Sequence, residues 1–128
     1  KCFFIVEEPE AHLFPLAQKK VVDLLALMSN STGSSVIITT HSPYILTSLN
    51  ILLYSDKIET RFKGKNGTVI PKSLRLSFEK FAAFKLTGES DSPVSWFGAE
   101  RHMIDTDYID EVSSLTNQEL EELMEMEG

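Results

Sequence analysis

The sequence predicts an α/β fold in which parallel strands are flanked by helices, followed by a β-hairpin region and C-terminal helices. Three observations support this class: an apolar run over residues 2–6, an amphipathic segment over residues 15–29, and a β-branched run over residues 36–40. A strand, a helix and a strand in this order form a βαβ unit with a right-handed crossover. The 128 residues are enough for one compact core.

The first strand, CFFIV over residues 2–6, is continuously apolar, which is typical of a central parallel strand covered on both faces. The helix over residues 15–29 begins with Pro15 in its first turn. Its apolar residues recur at steps of three and four, and its polar residues lie on the opposite side. The apolar set is Leu16, Val21, Leu24, Leu25 and Met28, and the polar set is Gln18, Lys19, Lys20 and Asp23.

The second half of the βαβ unit is predicted from the same kinds of sequence pattern. SNSTGSS over residues 29–35 is a loop by composition, and VIITT over residues 36–40 is the second strand. A short helix is predicted over residues 43–50, again with proline at its start, and ILLY over residues 51–54 is predicted as a third short strand.

Turn residues organise the next part of the chain. GKNG at residues 64–67 predicts a β-hairpin between residues 59–63 and 68–71. A further strand is predicted over residues 81–86 and a loop over residues 87–93.

The last part of the chain returns to helical patterns, with Thr116 and Glu119 forming a capping box. We therefore expect an α/β core over residues 1–56, a β-rich extension over residues 57–104 and an acidic helical tail over residues 105–128.

Charge is concentrated in this tail. The net charge is -7, and nine of the 19 acidic residues follow Arg101, so neither half offers a basic surface for nucleic acid. We expect amphipathic tail helices with a solvated face rather than a specific partner surface. No apolar run approaches membrane-spanning length, no signal-peptide pattern is present, and one cysteine allows no internal disulfide. A cytoplasmic protein without membrane contact is expected.

Polar residues follow both predicted strands: Glu7 and Glu8 after the first, His41 and Ser42 after the second. In open α/β sheets ligands bind beyond the carboxyl ends of the strands, so neighbouring strands would bring both pairs to one crevice. Adjacent carboxylates fit a site where one holds Mg²⁺ and the next polarises a water aimed at a γ-phosphate. Ser42 is better explained as a helix cap than as a nucleophile.

Two segments carry a resemblance to a known family. FFIVEEPEAHLFP, residues 3–15, resembles the Walker B motif and D-loop of ABC-type P-loop ATPases, and VIITTHSPYIL, residues 36–46, resembles their switch-histidine strand. Together they are most similar to the ATPase heads of the RecF, SMC and overcoming-lysogeny-defect group, the prokaryotic AAA-domain proteins. The resemblance covers residues 2 to about 56 and implies a partial P-loop NTPase fold, the ABC ATPase head.

The resemblance also implies residue roles. Glu7 would be the Mg²⁺-linked acid, directly or through water, Glu8 the catalytic glutamate, and His41 the switch histidine that contacts nucleotide. The D-loop would comprise Ala11, His12, Leu13 and Phe14. The first Walker B acid is usually aspartate, and Glu7 is one methylene longer.

The chain departs from the family in what it lacks. It contains no G-x-x-x-x-G-K-[ST] run, and only six residues precede Glu7, which leaves no room for a signature loop. We therefore expect the C-terminal portion of an ATPase that uses ATP and Mg²⁺, with negligible binding and turnover by this chain alone. Its partner would be the P-loop-containing part of the same or a neighbouring polypeptide, with heads pairing head to head and nucleic acid reached only through the complete protein.

Two alternatives remain at this point. The chain would be a non-catalytic interaction module or split-gene remnant that pairs with a partner ATPase head, or a different metal-dependent phosphohydrolase using Glu7, Glu8 and His41. An upstream P-loop sequence would favour the ATPase, and phosphatase activity without a P-loop would favour the metal-dependent phosphohydrolase.

Overall fold

The computed structural model describes residues 1–62, 70–86, 92–98 and 103–105, together with Met124. Its first half is a βαβα arrangement, and the described parts of its second half form short elements. In chain order the elements are β1 (Phe3–Glu7), α1 (Pro15–Thr32), β2 (Ser35–Thr39), α2 (Pro43–Phe62), two 3-10 helices (Lys72–Leu74 and Phe78–Lys80), β3 (Phe84–Lys85), β4 (Val94–Ser95), β5 (Phe97–Gly98) and β6 (Met103–Ile104). The mixed α/β class is as predicted.

Strands β1 and β2 are parallel neighbours, with Phe3 opposite Ser35 and Glu7 opposite Thr39. Helix α1 connects them, so the predicted βαβ unit is confirmed. Because both strands end at the same register position, the residues that follow Glu7 and Thr39 emerge at one edge of the sheet. This edge carries the candidate site.

One face of this sheet is open, which contradicts the expectation of a strand covered on both faces. Side chains alternate between half-buried and exposed along both strands, and Phe3, Ile5 and Ile37 are 61%, 63% and 47% exposed. Successive strand residues point to opposite faces, so these three share a face. Among the described residues nothing covers it, because α1 packs against the other side of the sheet, against α2 and against the first 3-10 helix.

Helix α1 buries a different stripe from the one predicted. Its buried residues are Gln18, Val22 and Ala26, four residues apart, whereas Leu16 and Leu24 are exposed. The polar assignment of Gln18 to the solvent side was wrong, because this residue hydrogen-bonds across the interface with α2. The helix continues to Thr32 and ends at Gly33, whose φ of 64° is the left-handed conformation that glycine adopts without strain.

Helix α2 is one 20-residue helix, so the third strand predicted over residues 51–54 is wrong. Ile45, Leu49 and Leu52 recur at helical spacing and are buried, together with Leu46 and Leu53. Burying this face as a helix outweighs the local β preference of ILLY. The hairpin strand predicted over residues 59–63 is also wrong, because residues 59–62 belong to α2. Residues 63–69, which include the predicted turn, lie outside the described residues.

The core joins the two helices to the second half of the chain. It comprises Val22, Ala26, Ile45, Leu46, Leu49, Leu52, Leu53 and Ile104. The Asn50 side chain fastens β6 to α2, accepting from the Ile104 N–H at 2.7 Å and donating to its carbonyl at 3.0 Å. Of the strand predicted over residues 81–86 only β3 is observed, paired antiparallel with β4.

Several predictions fall where the structure gives no description. The loop residues 87–91 and the tail residues 106–123 and 125–128 lie outside the described residues, and Met124 is helical. The division at residues 56 and 104 stays a prediction, although α2 runs across the first boundary. Neither helix, over the part of the chain that is described, has the length and apolar character needed to cross a bilayer.

Candidate functional site

The turn that follows β1 has an unusual backbone. The Glu8 N–H donates to the Thr39 carbonyl at 2.9 Å, extending the strand pairing by one residue, and Glu8 then turns with a φ of 44°. His12 also has a positive φ, 61°. Left-handed conformations of non-glycine residues cost about 1–2 kcal/mol each and are common at functional sites. Two such residues within five positions indicate that the surrounding structure holds this turn in a defined conformation.

The turn brings a carboxylate to the histidine that follows β2. The Nδ1 atom of His41 lies 3.6 Å from Oε1 of Glu8 and 3.4 Å from Oε1 of Glu10. The side chains of His41 and Glu8 are 77% and 61% exposed. The structure therefore places Glu8 and His41 together at the solvent-facing edge of the sheet, where a ligand can reach both.

Glu10 lies beneath this pair and is only 8% exposed. Its Oε1 accepts hydrogen bonds from the Thr40 hydroxyl at 2.8 Å and from the His41 backbone N–H at 3.0 Å. Its Oε2 is buried and has no hydrogen-bond partner among the described residues. Burial alone would raise the pKa of Glu10, but hydrogen bonds from Thr40 and from the N–H groups of Glu10 and His41, with the His41 charge, bring this pKa below its ordinary value.

A second connection runs through α1. The Ser42 hydroxyl donates to Oε1 of Gln18 at 2.6 Å, and Nε2 of Gln18 donates to the Leu13 carbonyl at 2.9 Å. The Ile45 N–H approaches the Ser42 hydroxyl at 3.5 Å, so Ser42 also stands at the start of α2 as the expected cap. Gln18 thus ties the end of the turn after β1 to the start of α2.

Glu7 is the last residue of β1 and is exposed. Within the described residues no group of three or more His, Cys, Asp and Glu side chains is arranged to hold a metal ion. Mg²⁺ in nucleotide sites is bound by one or two carboxylates together with phosphate oxygens and water. Glu7 fits that ligand set as its protein carboxylate, and the phosphates would have to supply further ligands.

The residues predicted as a D-loop form the exposed connection from the turn to α1. Ala11 and Leu13 donate backbone N–H groups to the carbonyls of Glu8 and Glu10, both at 2.9 Å. His12 and Phe14 are exposed, and the Phe14 carbonyl accepts the first N–H groups of α1. The backbone of this segment is therefore ordered by local hydrogen bonds while its side chains remain available for contact.

Sequence reasoning missed three residues of this site: Glu10, Thr40 and Gln18. The only signal was position, because Glu10 stands in the same EEPE run as Glu7 and Glu8, and Thr40 directly precedes His41. Gln18 carried no signal, since a polar residue on an amphipathic helix is normally solvated.

One comparison with known proteins gives a match. Residues 1–46 match the family model described as an AAA ATPase domain. The matched range includes both strands, helix α1 and the start of α2, and therefore the whole turn and His41. Neither the curated proteins nor the solved structures provide a match. The site described above thus lies in the part of the chain that is similar to an AAA ATPase domain.

Proposed function

We propose that this chain forms part of the ATP site of an ABC-type ATPase, with Glu7 as the Mg²⁺-linked acid, Glu8 as the catalytic glutamate and His41 as the switch histidine. One observation carries the proposal. The Glu8 carboxylate and the His41 ring lie 3.6 Å apart at the carboxyl edge of two parallel strands, inside the range similar to an AAA ATPase domain.

Each residue has a task that its surroundings allow. An exposed carboxylate such as Glu8 accepts a hydrogen bond from water and orients that water for attack on the γ-phosphate. His41 directs Nδ1 towards carboxylates, so that Nε2 of the imidazolium is left to donate to a phosphate oxygen. Bound Mg²⁺ would neutralise phosphate charge, with Glu7 as its protein ligand. The exposed residues Ala11 to Phe14 would contact a second head.

The site described here is one part of such a centre. The 128 residues contain no G-x-x-x-x-G-K-[ST] sequence, whose N–H groups and lysine hold the β- and γ-phosphates. We therefore propose that a P-loop segment of the same or a neighbouring polypeptide completes it. The proposed catalytic part is residues 1–56, with residues 57–104 as an extension and 105–128 as a tail.

The open face of the sheet supports this completion. Phe3, Ile5 and Ile37 are each about half exposed or more, and each described strand of the sheet has only one neighbour. Covering the three side chains would contribute on the order of 1 kcal/mol each. A P-loop segment that pairs with the free strand edges and packs on this face would bury them.

The test compares the chain alone with the chain co-expressed with the P-loop segment encoded upstream of it or in the neighbouring reading frame. We expect negligible ATP hydrolysis by the chain alone and Mg²⁺-dependent hydrolysis by the assembly. The variant His41→Ala should lower kcat on the order of 100-fold. The matched control is Glu79→Gln, which changes an exposed carboxylate in the second 3-10 helix.

The same experiment separates the competing functions. An assembly that forms but does not hydrolyse ATP would favour the non-catalytic interaction module. Phosphatase activity of the chain alone, lost in His41→Ala but not in Glu79→Gln, would favour a metal-dependent phosphohydrolase instead.

A further inference from the structure

The three carboxylates of the EEPE run differ in their surroundings. Glu7 and Glu8 are exposed, whereas Glu10 is 8% exposed and lies under the Thr40–His41 backbone. Nothing in the resemblance or the family match assigns Glu10 a role. A carboxylate is costly to bury, so its position here calls for a physical reason.

We propose that Glu10 is a positioning residue, whose buried carboxylate holds the backbone and ring of His41 against Glu8. A single oxygen, Oε1, makes all the contacts: the Thr40 hydroxyl at 2.8 Å, the His41 N–H at 3.0 Å and the His41 Nδ1 at 3.4 Å. Holding the N–H fixes the main chain of His41. The contact with Nδ1 orients the ring, because a carboxylate accepts hydrogen bonds and does not donate them, so it favours an Nδ1 that carries a proton.

The unpartnered oxygen favours a role for the charge over a purely structural role. Oε2 of Glu10 is buried without a hydrogen-bond partner among the described residues, and an unsatisfied buried polar atom costs about 1–3 kcal/mol. A glutamine would accept the same two hydrogen bonds without burying a negative charge. The charge strengthens the hydrogen bonds from Thr40 and the backbone, and it also attracts the His41 imidazole, which a neutral amide would not do.

The consequence for the ring is a defined tautomer. Glu8 and Glu10 both present carboxylate oxygens to Nδ1, so the neutral ring carries its proton on Nδ1, and Nε2 faces away from both carboxylates. The carboxylate of Glu8 is exposed, whereas that of Glu10 is held by Thr40 and the His41 backbone. Glu10 is therefore the residue that sets the tautomer and orientation.

With Nδ1–H held by the carboxylates, His41 can donate to a phosphate oxygen only after a second proton binds Nε2 and forms the imidazolium. That this arrangement serves phosphate contact rests on the proposed function, but the link between Glu10 and His41 does not. The two ideas therefore fail separately. An assembly that does not hydrolyse ATP would leave the link intact, and loss of the link in an active assembly would remove only the role of Glu10.

The test is NMR of the isolated chain, labelled with ¹⁵N and ¹³C, at about pH 8, where an ordinary imidazole is neutral. A long-range ¹H–¹⁵N spectrum gives the tautomer of each histidine, and His41→Ala assigns the His41 signals. We expect His41 to be mainly in the Nδ1–H form, with a scalar coupling between its backbone ¹⁵N and the Glu10 side-chain ¹³C. In Glu10→Gln the Nε2–H form should become the major one, and in Glu79→Gln nothing should change.

The wild-type spectra alone can overturn the proposal, so the test does not require the Glu10→Gln variant to fold. A mainly Nε2–H ring, or no coupling between His41 and Glu10, would contradict it. An unchanged tautomer in a folded Glu10→Gln chain would show that Glu8 suffices. In the active assembly, Glu10→Gln should lower kcat roughly 10-fold with KM unchanged. A Glu10→Gln assembly with the wild-type kcat would reduce Glu10 to a structural residue.

Discussion

Replacing Gln18 with leucine should destabilise the fold by about 2–3 kcal/mol, although leucine is similar in size and prefers helices. Gln18 is buried between α1 and α2 and makes two hydrogen bonds, to the Ser42 hydroxyl at 2.6 Å and to the Leu13 carbonyl at 2.9 Å. Leucine fills the space but can make neither bond. The turn after β1 and the start of α2 would lose their connection.

The size of the stability loss follows from the polar groups that lose their hydrogen-bond partner in Gln18→Leu. Each hydrogen bond contributes about 1 kcal/mol net. The Ser42 hydroxyl is buried, so losing its acceptor adds part of the 1–3 kcal/mol cost of an unsatisfied group, whereas Leu13 is exposed enough for water to replace the glutamine. Ser42→Ala in the Gln18→Leu background removes that unsatisfied hydroxyl. The double variant should therefore be about 1–2 kcal/mol more stable than the sum of the single effects predicts.

The assay is urea unfolding followed by far-UV circular dichroism and Trp96 fluorescence, with free energies from linear extrapolation. Lys20→Leu is the matched control, since Lys20 is exposed on the same helix and should change stability by less than about 0.5 kcal/mol. Additive effects of Gln18→Leu and Ser42→Ala, or a Gln18→Leu chain as stable as Lys20→Leu, would show that Gln18 does not connect the turn to α2.

Three further results are expected. In α2, Leu52→Ala should cost about 2–5 kcal/mol and the adjacent Ile51→Ala below about 0.5, because these side chains are 1% and 42% exposed; urea unfolding measures both. On the open sheet face, Ile5→Thr with Ile37→Thr should barely change the stability of the isolated chain but weaken binding of the P-loop segment at least about tenfold, measured by calorimetry. The pKa of Glu10 is lowered from 4.5 in the folded chain, so its contribution to stability is complete above that value and is lost as the pH falls through the folded pKa. Glu10→Gln should therefore flatten the acid limb of stability against pH, where Glu8 and His41 are the charged groups that face Glu10.

Each of these has a contrary outcome. Equal costs at Leu52 and Ile51 would contradict the burial of Leu52 and the exposure of Ile51 on α2. Unchanged binding of the P-loop segment would mean that the open sheet face is not the contact surface. An unaltered acid limb would show that Glu10 does not carry a native-state charge.

The candidate site residues could be found from the sequence because the signals are local. A short apolar run that ends in carboxylates, followed by a β-branched run that ends in a histidine, predicts two parallel strands whose ends meet. The structure brings Glu8 and His41 together as that pattern predicts. Their chemical roles stay predictions.

The features that the sequence did not predict depend on contacts between residues that are distant in sequence. ILLY has the composition of a strand, but its leucines continue the buried face of the preceding helix, and burial decides the conformation. An apolar run does not reveal which of its faces this chain covers, so the open face of β1 was not predicted. Glu10 and Gln18 are buried only because their partners, Thr40 and Ser42, follow another strand.

We propose that Glu8 activates water against an ATP molecule that another segment holds. The most direct measurement is ATP bound and ATP hydrolysed in the same sample, for the assembly of this chain with its P-loop segment, with and without Glu8→Gln. We expect Glu8→Gln to retain Mg²⁺-ATP binding and to lose about 100-fold or more in turnover. Turnover at the wild-type rate in Glu8→Gln, or Glu8-dependent hydrolysis by the isolated chain, would contradict it.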